Sequence, residues 1–385
     1  MAAMKAALSP AAMRADALGE AKAAATGASG VAFGPLRLRT PVMLAPMAGV
    51  TNPPFRQLCR EQAEMGLALA GGDPAPRGLP GTDAPGGLWV CEMITSRALV
   101  ERNPEAMNMI KPDPGDPVRS IQLYGVEPKT CAAAVAMLVG EDRADHIDLN
   151  FGCPAPKVTR KGGGSALPWK LDLFREIVSA AVEAARRASA DRDVEVPVTA
   201  KIRVGIDGGH ITFFDAARIA EDAVRLMAET GCAGVAVGRG CQGRPWLFRE
   251  LAARLHGCGK VARPGLSDVV AMIERHGQLS YEHFNGDEHR AMRELRKHIG
   301  WYLRGFAVGG ESRRELALVS TREELRDRLA QLDLDQPYPE AAEGPRGRAG
   351  GPKRPHVPDG WLDSRELSPA DRARIARAEI NVSGG

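Results

Sequence analysis

Residues 150–154 read Asn-Phe-Gly-Cys-Pro, and Lys157, Arg160, Lys161 and the run Gly162-Gly163-Gly164-Ser165 follow at once. A free cysteine is ordinarily a buried, inert residue. On a Gly-Pro turn at the end of an apolar run, Cys153 instead presents a thiol that can give or take a proton, and the basic loop beside it can hold a polyanion. Lys201 and Arg203 alternate along TAKIRVG, so they share one face of a strand, and a cation facing inward there needs an anionic or strongly polar partner. Gln122, near the end of another apolar run, offers a donor and an acceptor to a planar heterocycle. Gly238-Arg239-Gly240 stands a short turn ahead of a helix opening on PWLF at 245–248, an arrangement of backbone N–H groups and guanidinium suited to phosphate. Arg290, Arg293, Lys297, Trp301 and Arg304 fall near one helix face, giving a basic stripe with an aromatic in it.

The elements that must position these residues are legible as short apolar runs bounded by Gly and Pro, at 42–48, 88–94, 118–124, 146–150, 196–204 and 234–238. Stretches of helical period at 53–64, 128–139, 171–189 and 212–230 separate several of them, the pattern of successive β/α units around a parallel sheet. Polar or reactive residues close nearly every run, which is where a β/α barrel carries its active site. The predicted organisation is a mobile extension at 1–30, a β/α barrel at 31–257 with a Gly/Pro-rich loop insertion at 67–87, a small all-helical domain at 258–335, and a largely disordered tail at 336–385 with one weak helix near 369–378.

Bulk properties narrow the classes. A net charge of +3 over 385 residues gives no whole-molecule field, so affinity for nucleic acid must come from a local basic surface. Seven cysteines without a CxxC pair or metal-ligand spacing fit neither a disulfide framework nor a zinc site; they suit a reducing compartment, hence the cytoplasm, and no metal is expected. The Ala-rich start lacks a sustained apolar core, so neither a signal peptide nor a membrane span is expected. No protein partner is implied.

The motifs APMAGVT (45–51), PFR (54–56), CEMI (91–94), IQLYG (121–125), DLNFGCPAPKVTRKGGGSAL (148–167), KIRVG (201–205) and VGRGCQGRPWLFREL (237–251) occur in the order found in the tRNA-dihydrouridine synthases. The chain resembles that family, and in particular its bacterial B-type branch, over about residues 31–334. The resemblance implies a TIM-type barrel with FMN as cofactor, NADPH as reductant and a uridine of folded tRNA as substrate, which gains a hydride at C6 and a proton at C5 from Cys153. It also implies that Pro46, Met47 and Ala48 line the flavin ring, and that Gln122 and Lys201 contact its polar edge. Gly238 and Arg239 would hold the FMN phosphate, and Asn150 and Arg203 would face the target uracil. Lys157, Arg160 and Lys161 with the stripe Arg290, Arg293 and Lys297 would meet the tRNA.

One departure stands out. A complete barrel has eight strands, and six apolar runs are present. After Arg203 the family carries a strand ending in a His-x-Arg type motif, a helix, and a strand ending in Asn-Gly-Asp, none of which occurs before Gly238. The sequence predicts a barrel short of about two strands, with on the order of 50 residues removed near 220–226. An RNA-binding remnant that has lost flavin chemistry is the alternative this gap favours. An FMN barrel acting on a small molecule, such as a dihydroorotate or enoate reductase, would have no use for the basic stripe.

Overall fold

The computed structural model describes residues 30–113, 115–202, 233–343, 346, 356–364 and 366–380. The expected N-terminal extension, the helix at 212–230, Arg203 and the junction at 220–226 lie outside the described residues.

An antiparallel hairpin opens the described chain: β1 (Val31–Phe33) pairs with β2 (Leu36–Leu38) across a turn whose Gly34 has φ +57°. The hairpin lies at the N-terminal ends of later strands, with the Phe33 ring 6.1 Å from that of His146. Next come β3 (Val42–Leu44) and α1 (Pro53–Leu69), whose cap Asn52 accepts from Phe55 N at 3.2 Å just ahead of two prolines that need no N–H partner. The 67–87 stretch, expected as a surface loop, contains β4 (Asp83–Ala84), which extends the hairpin sheet alongside β2; Arg39 ties it down through Asp83 Oδ1 at 3.2 Å and Asp73 O at 2.7 Å.

The remaining strands are parallel. β5 (Leu88–Trp89) lies beside β3 and β6 (Ile94–Thr95) beside β7 (Ser120–Tyr124), followed outward by β8 (His146–Phe151) and β9 (Val198–Ile202), while β10 (Val235–Val237) lies on the other side of β3. Residues 88–95 form one run interrupted at 90–93, and Cys91 N donates to Ser120 O at 3.1 Å, so the two parallel sheets continue each other. The parallel strands thus follow the order of the six apolar runs, the sixth, at 235–237, returning beside the first at 42–44. This is an α/β fold.

Strict alternation sorts the two faces. Ile121, Leu123, Ile147, Leu149 and Phe151 face outward into a core made with α2 (Ser96–Val100), α3 (Pro104–Met109), α4 (Pro128–Gly140) and α6 (Leu171–Ala188), α5 being the single turn Pro156–Thr159 between β8 and α6. Ser120, Gln122, His146, Asp148, Asn150, Thr199 and Lys201 share the opposite, inner face. On β9 the outward Ile202 is 58% exposed, a large apolar side chain left uncovered on a strand of the sheet.

After α7 (Trp246–Leu255), residues 266–330 fold as α8 (Leu266–His283), α9 (Glu288–Tyr302), α10 (Gly310–Leu316) and α11 (Arg322–Ala330), which share an apolar core with Leu58 and Trp246. Phe55 of α1 inserts against His276 and His298, ring centroids 5.8 and 5.3 Å away. Both imidazoles are held neutral by burial, which pushes His276 down to about 3 and His298 well below its ordinary range.

A helix is present where one was expected near 369–378, while residues 356–364 and 366–368, expected to be disordered, pack against the core. Trp361 is 1% exposed and Ile375 5%, both within the main outward core, and α12 (Pro369–Ile380) lies against α6 through Arg372 and Glu176 at 2.8 Å. Composition misled because the Pro/Gly/Arg-rich 344–355 stretch dominates the segment, whereas a few apolar residues beyond it find an existing groove.

Candidate active site

Cys153 follows the C-terminal end of β8 and is half-buried. Its backbone is fixed on both sides: its N–H donates to Asn150 Oδ1 at 3.0 Å and its carbonyl accepts from Ser165 N at 2.9 Å. Gly152 N also donates to Asn150 Oδ1, at 3.1 Å, so Asn150 builds the turn that carries the thiol. By contrast Cys59, Cys91, Cys131 and Cys241 are buried, and burial pushes the thiol of Cys91 up to about 11 and that of Cys241 up to about 12. Such thiols are inert, while Cys153 stays accessible at the strand ends.

Behind Cys153 a continuous chain of side-chain hydrogen bonds runs down the inner face. Asn150 Nδ2 donates to Gln122 Oε1 at 2.8 Å, and Gln122 Nε2 donates to Asp148 Oδ2 at 2.6 Å. From the other side Thr199 Oγ1 donates to Asp148 Oδ1 at 2.7 Å; Thr199 Oγ1 lies 3.0 Å from His146 Nε2, and His146 Nδ1 lies 2.8 Å from Ser120 Oγ. Burial pushes the His146 imidazole down to about 4, so it is neutral and carries one N–H. Thr199 spends its proton on Asp148, which places the imidazole N–H on Nε2 and makes Ser120 the donor to Nδ1. Every arrow in the chain therefore points at the Asp148 carboxylate, the acceptor-only group at its centre. Burial raises the pKa of Asp148, while Thr199, Gln122 and the Lys201 charge pull it back.

Lys201 is half-buried on β9, in register with Asn150 on β8, and its charge reaches Asp148. This supplies the anionic partner an inward lysine requires. Gln122 is fully buried, its amide spanning Asp148 and Asn150. Pro46 and Met47 are half-buried and Ala48 exposed just beyond β3. Their turn is held by Thr51, whose Oγ1 accepts from Met47 N at 3.0 Å, and by Arg56, whose Nη1 donates to Thr51 O at 3.1 Å. Arg56 and Arg60 both pair with buried Asp116, at 3.1 and 2.8 Å. Gly238 follows β10, level with Ala45, and Arg239 beside it is exposed. Among the described residues, a Cβ at Gly238 would meet only Ala45, at 4.0 Å, which leaves room for a ligand over this backbone. The rim of the parallel sheet thus gathers Pro46, Met47, Ala48, Gln122, Asn150, Cys153, Lys201, Gly238 and Arg239.

The candidate basic residues fall in two groups. Lys157 and Arg160 are exposed and Lys161 half-buried on the loop after Cys153. On α9, Arg290 and Arg293 are exposed, Arg290 over the Phe284 ring at 4.5 Å, whereas Lys297 is half-buried, pairs with Glu294 and lies near Glu92. Glu92 in turn accepts from Gly49 N, so the foot of α9 meets the rim at the turn after β3. Among the described residues no cluster of His, Cys, Asp and Glu could hold a metal ion, and no helix is long and apolar enough to cross a membrane.

The inner-face network of Ser120, His146, Asp148 and Thr199 was not among the sequence candidates. Its signal was present as alternation: polar residues occupy every second position of SIQLY, HIDLN and TAK.

A family model described as dihydrouridine synthase matches residues 43–224 and 218–338, two segments that overlap at 218–224. The probable tRNA-dihydrouridine synthase of Mycobacterium tuberculosis (strain CDC 1551 / Oshkosh) is 43% identical over 404 residues, covering 92% of this chain and 96% of that protein. The probable tRNA-dihydrouridine synthase of Mycobacterium leprae (strain TN) is 44% identical, covering 89% and 100%. tRNA-dihydrouridine synthase B of Shewanella oneidensis is 30% identical over 319 residues, covering 70% and 88%. A solved histamine dehydrogenase from Rhizobium sp. 4-9 superposes with a TM-score of 0.36 at 10% identity, covering 80% of this chain and 65% of that one, too loosely to bear on the fold.

Proposed function

The chain belongs to the dihydrouridine synthase family, and on that premise we propose that it reduces a uridine of tRNA to 5,6-dihydrouridine, with FMN as cofactor and NADPH as reductant. The observation that carries the reading is the accessible Cys153, held by Asn150 and Ser165 on the rim that also bears Gln122, Lys201, Gly238 and Arg239. FMN, when bound, supplies the hydride to uracil C6. The residues present fit it: the open backbone at Gly238 and the exposed Arg239 suit its phosphate, Pro46 to Ala48 its ring, and Lys201 its electron-rich edge.

The protein's own work is to bind, orient and protonate. Cys153 gives its Sγ proton to C5 of the uracil as the hydride arrives at C6, so the C5–C6 double bond becomes single and both added hydrogens are accounted for. Asn150 and Arg203 hold the uracil, Arg203 lying outside the described residues. Lys157, Arg160, Lys161, Arg290, Arg293 and Lys297 bind the tRNA backbone, offsetting the few kcal/mol needed to draw the base out of its stack.

Incubation with NADPH and tRNA lacking dihydrouridine, followed by nucleoside mass spectrometry, should show dihydrouridine forming with the native chain and none with Cys153→Ala. Formation by the alanine variant at the native rate would remove Cys153 from the mechanism.

We further read the sheet as a TIM-type barrel short of about two strands. The alignment to the Mycobacterium tuberculosis relative runs over 404 positions yet takes up 92% of 385 residues, so about 50 positions of that relative face no residue here. The overlap of the two family-model segments at 218–224 and the uncovered Ile202 support the same junction. Loss of a strand beside β10 removes part of the phosphate cradle, which favours a second reading, an RNA-binding remnant without flavin chemistry. The visible spectrum of the purified chain separates the two: near-stoichiometric flavin with turnover supports the enzyme, and tRNA binding without flavin supports the remnant.

A further inference from the structure

We propose that residues 356–364 and 366–380 form a strap that positions the Cys153 loop, with Trp361 as its positioning residue; the catalytic sense of this rests on the function proposed above. The segment from Cys153 to Lys170 joins the short turns Pro156–Thr159 and Gly164–Trp169 through a glycine run. It contains three consecutive glycines, of which Gly162 has φ +79° and Gly164 φ +56°, and glycine carries the largest backbone freedom of any residue. Holding such a segment still requires contacts from outside it.

The tail provides them. The Trp361 indole lies between the two flanks of the glycine run: Nε1 donates to Ala166 O at 2.9 Å, and the ring covers Gly162 so closely that a Cβ there would lie 2.5 Å from Cη2. The residues between those flanks touch the thiol's own backbone, with Ser165 N donating to Cys153 O at 2.9 Å and the Gly164 backbone packed against the same carbonyl. A displacement of Trp361 is therefore transmitted over one or two residues to Cys153.

Two further grips bracket the loop. At its start, fully buried Thr159 donates from Oγ1 to His356 O at 2.7 Å. At its end, Lys170 is 1% exposed and draws its partners from the tail: Ser364 O at 3.1 Å, Glu366 O at 3.0 Å, the Asp371 carboxylate at 3.5 Å, and the Trp361 ring at 5.1 Å. A buried ammonium that far from its partners in sequence, and this well satisfied, marks a specific seat. Misplacement of a reacting group by about 1 Å can cost on the order of 100-fold in rate, so the strap adds an outside brace to the turns within the loop.

The test measures the loop directly. Alkylation of Cys153 by iodoacetamide in the full-length protein, followed by peptide mass spectrometry, reports how often the loop opens, and half-buried Cys258 on the far side serves as internal reference. Trp361→Ala should raise the Cys153 rate by about tenfold or more relative to Cys258, and Trp361→Phe, which keeps the ring but loses the bond to Ala166, should fall between. Lys170→Met should act in the same direction, and gives a second reading if Trp361→Ala fails to fold. An unchanged Cys153 to Cys258 ratio in the folded variants overturns the strap. In the dihydrouridine assay, Trp361→Ala should lower kcat more than it raises KM for tRNA. The alkylation needs neither tRNA nor NADPH, so a strap that holds in a chain without turnover would sink the proposed activity alone.

Discussion

Replacing Asp148 by asparagine changes one acceptor into a donor at the centre of the buried chain that ends on Cys153. The carboxylate accepts from Gln122 Nε2 at 2.6 Å and from Thr199 Oγ1 at 2.7 Å. An asparagine must aim its amide N–H groups at one of them. Aimed at Gln122, it forces Gln122 and Asn150 to flip, and the N–H groups of Gly152 and Cys153 lose the Asn150 Oδ1 they reach at 3.1 and 3.0 Å. Aimed at Thr199, it rearranges only the lower half: the Thr199 hydroxyl turns to donate to His146 Nε2, and His146 moves its proton to Nδ1, facing Ser120. The second route leaves the Asn150 end intact, releasing only the Ser120 hydroxyl from His146 Nδ1, and is cheaper. Its cost is the exchange of two charge-assisted hydrogen bonds for neutral ones, about 1–3 kcal/mol in all, against a total stability of about 5–15 kcal/mol. Urea unfolding should show a lower midpoint at unchanged m-value, and the imidazole nitrogen resonances of His146 should report the proton on Nδ1 instead of Nε2. A variant within about 0.5 kcal/mol of the native chain whose His146 keeps its proton on Nε2 would refute the claim that Asp148 orients this network.

Acid should weaken the protein through the histidines buried between α1, α8 and α9. His276 protonates near 6.5 when unfolded and only at about 3 when folded, so the unfolded chain binds more protons in that window and stability is lost as pH falls through it. Buried carboxylates such as Asp116 and Glu92, raised by desolvation, act in the opposite sense, so the clean readout is a comparison: between pH 6.5 and 5 the native chain should lose about 2 kcal/mol more than His276→Phe, and parallel pH profiles would exclude His276 as the source. Asp116→Ala strands Arg56 and Arg60 without their buried partner and should cost about 3–5 kcal/mol by the same unfolding assay; a loss under about 1 kcal/mol would mean that the pair behaves as a surface bridge. Gly66→Ala sets two effects against each other. Helix propensity favours alanine by about 1 kcal/mol, but a Cβ at Gly66 meets the Arg249 carbonyl where α1 packs on α7, so net destabilisation by about 1–3 kcal/mol is expected, and a rise in melting temperature would disprove the close approach.

Period and punctuation were enough to place the parallel strands, because each is a short apolar run between Gly and Pro breaks, and in β7, β8 and β9 apolar outward residues alternate with polar inward ones, so a one-residue slip would bury every polar side chain in the wrong layer. The same local order put Cys153 and Lys201 near strand ends, since a turn and a basic loop are visible in a few consecutive letters, whereas Gln122, expected at a strand end, is the buried middle residue of β7. Only the folded chain decided what those residues touch. That Asn150 shapes the Cys153 turn, and that Asp148 gathers hydrogen bonds from the strands on both sides of its own, depends on which strands lie side by side, and no single segment encodes that. The tail shows the limit most clearly: Trp361 and Lys170 are separated by 191 positions, and neither suggests the other until the groove beside the glycine run exists to receive the ring. Local sequence fixes periodicity and turn chemistry; burial, pairing and the direction of a hydrogen bond are properties of surfaces that meet only after the chain has closed on itself.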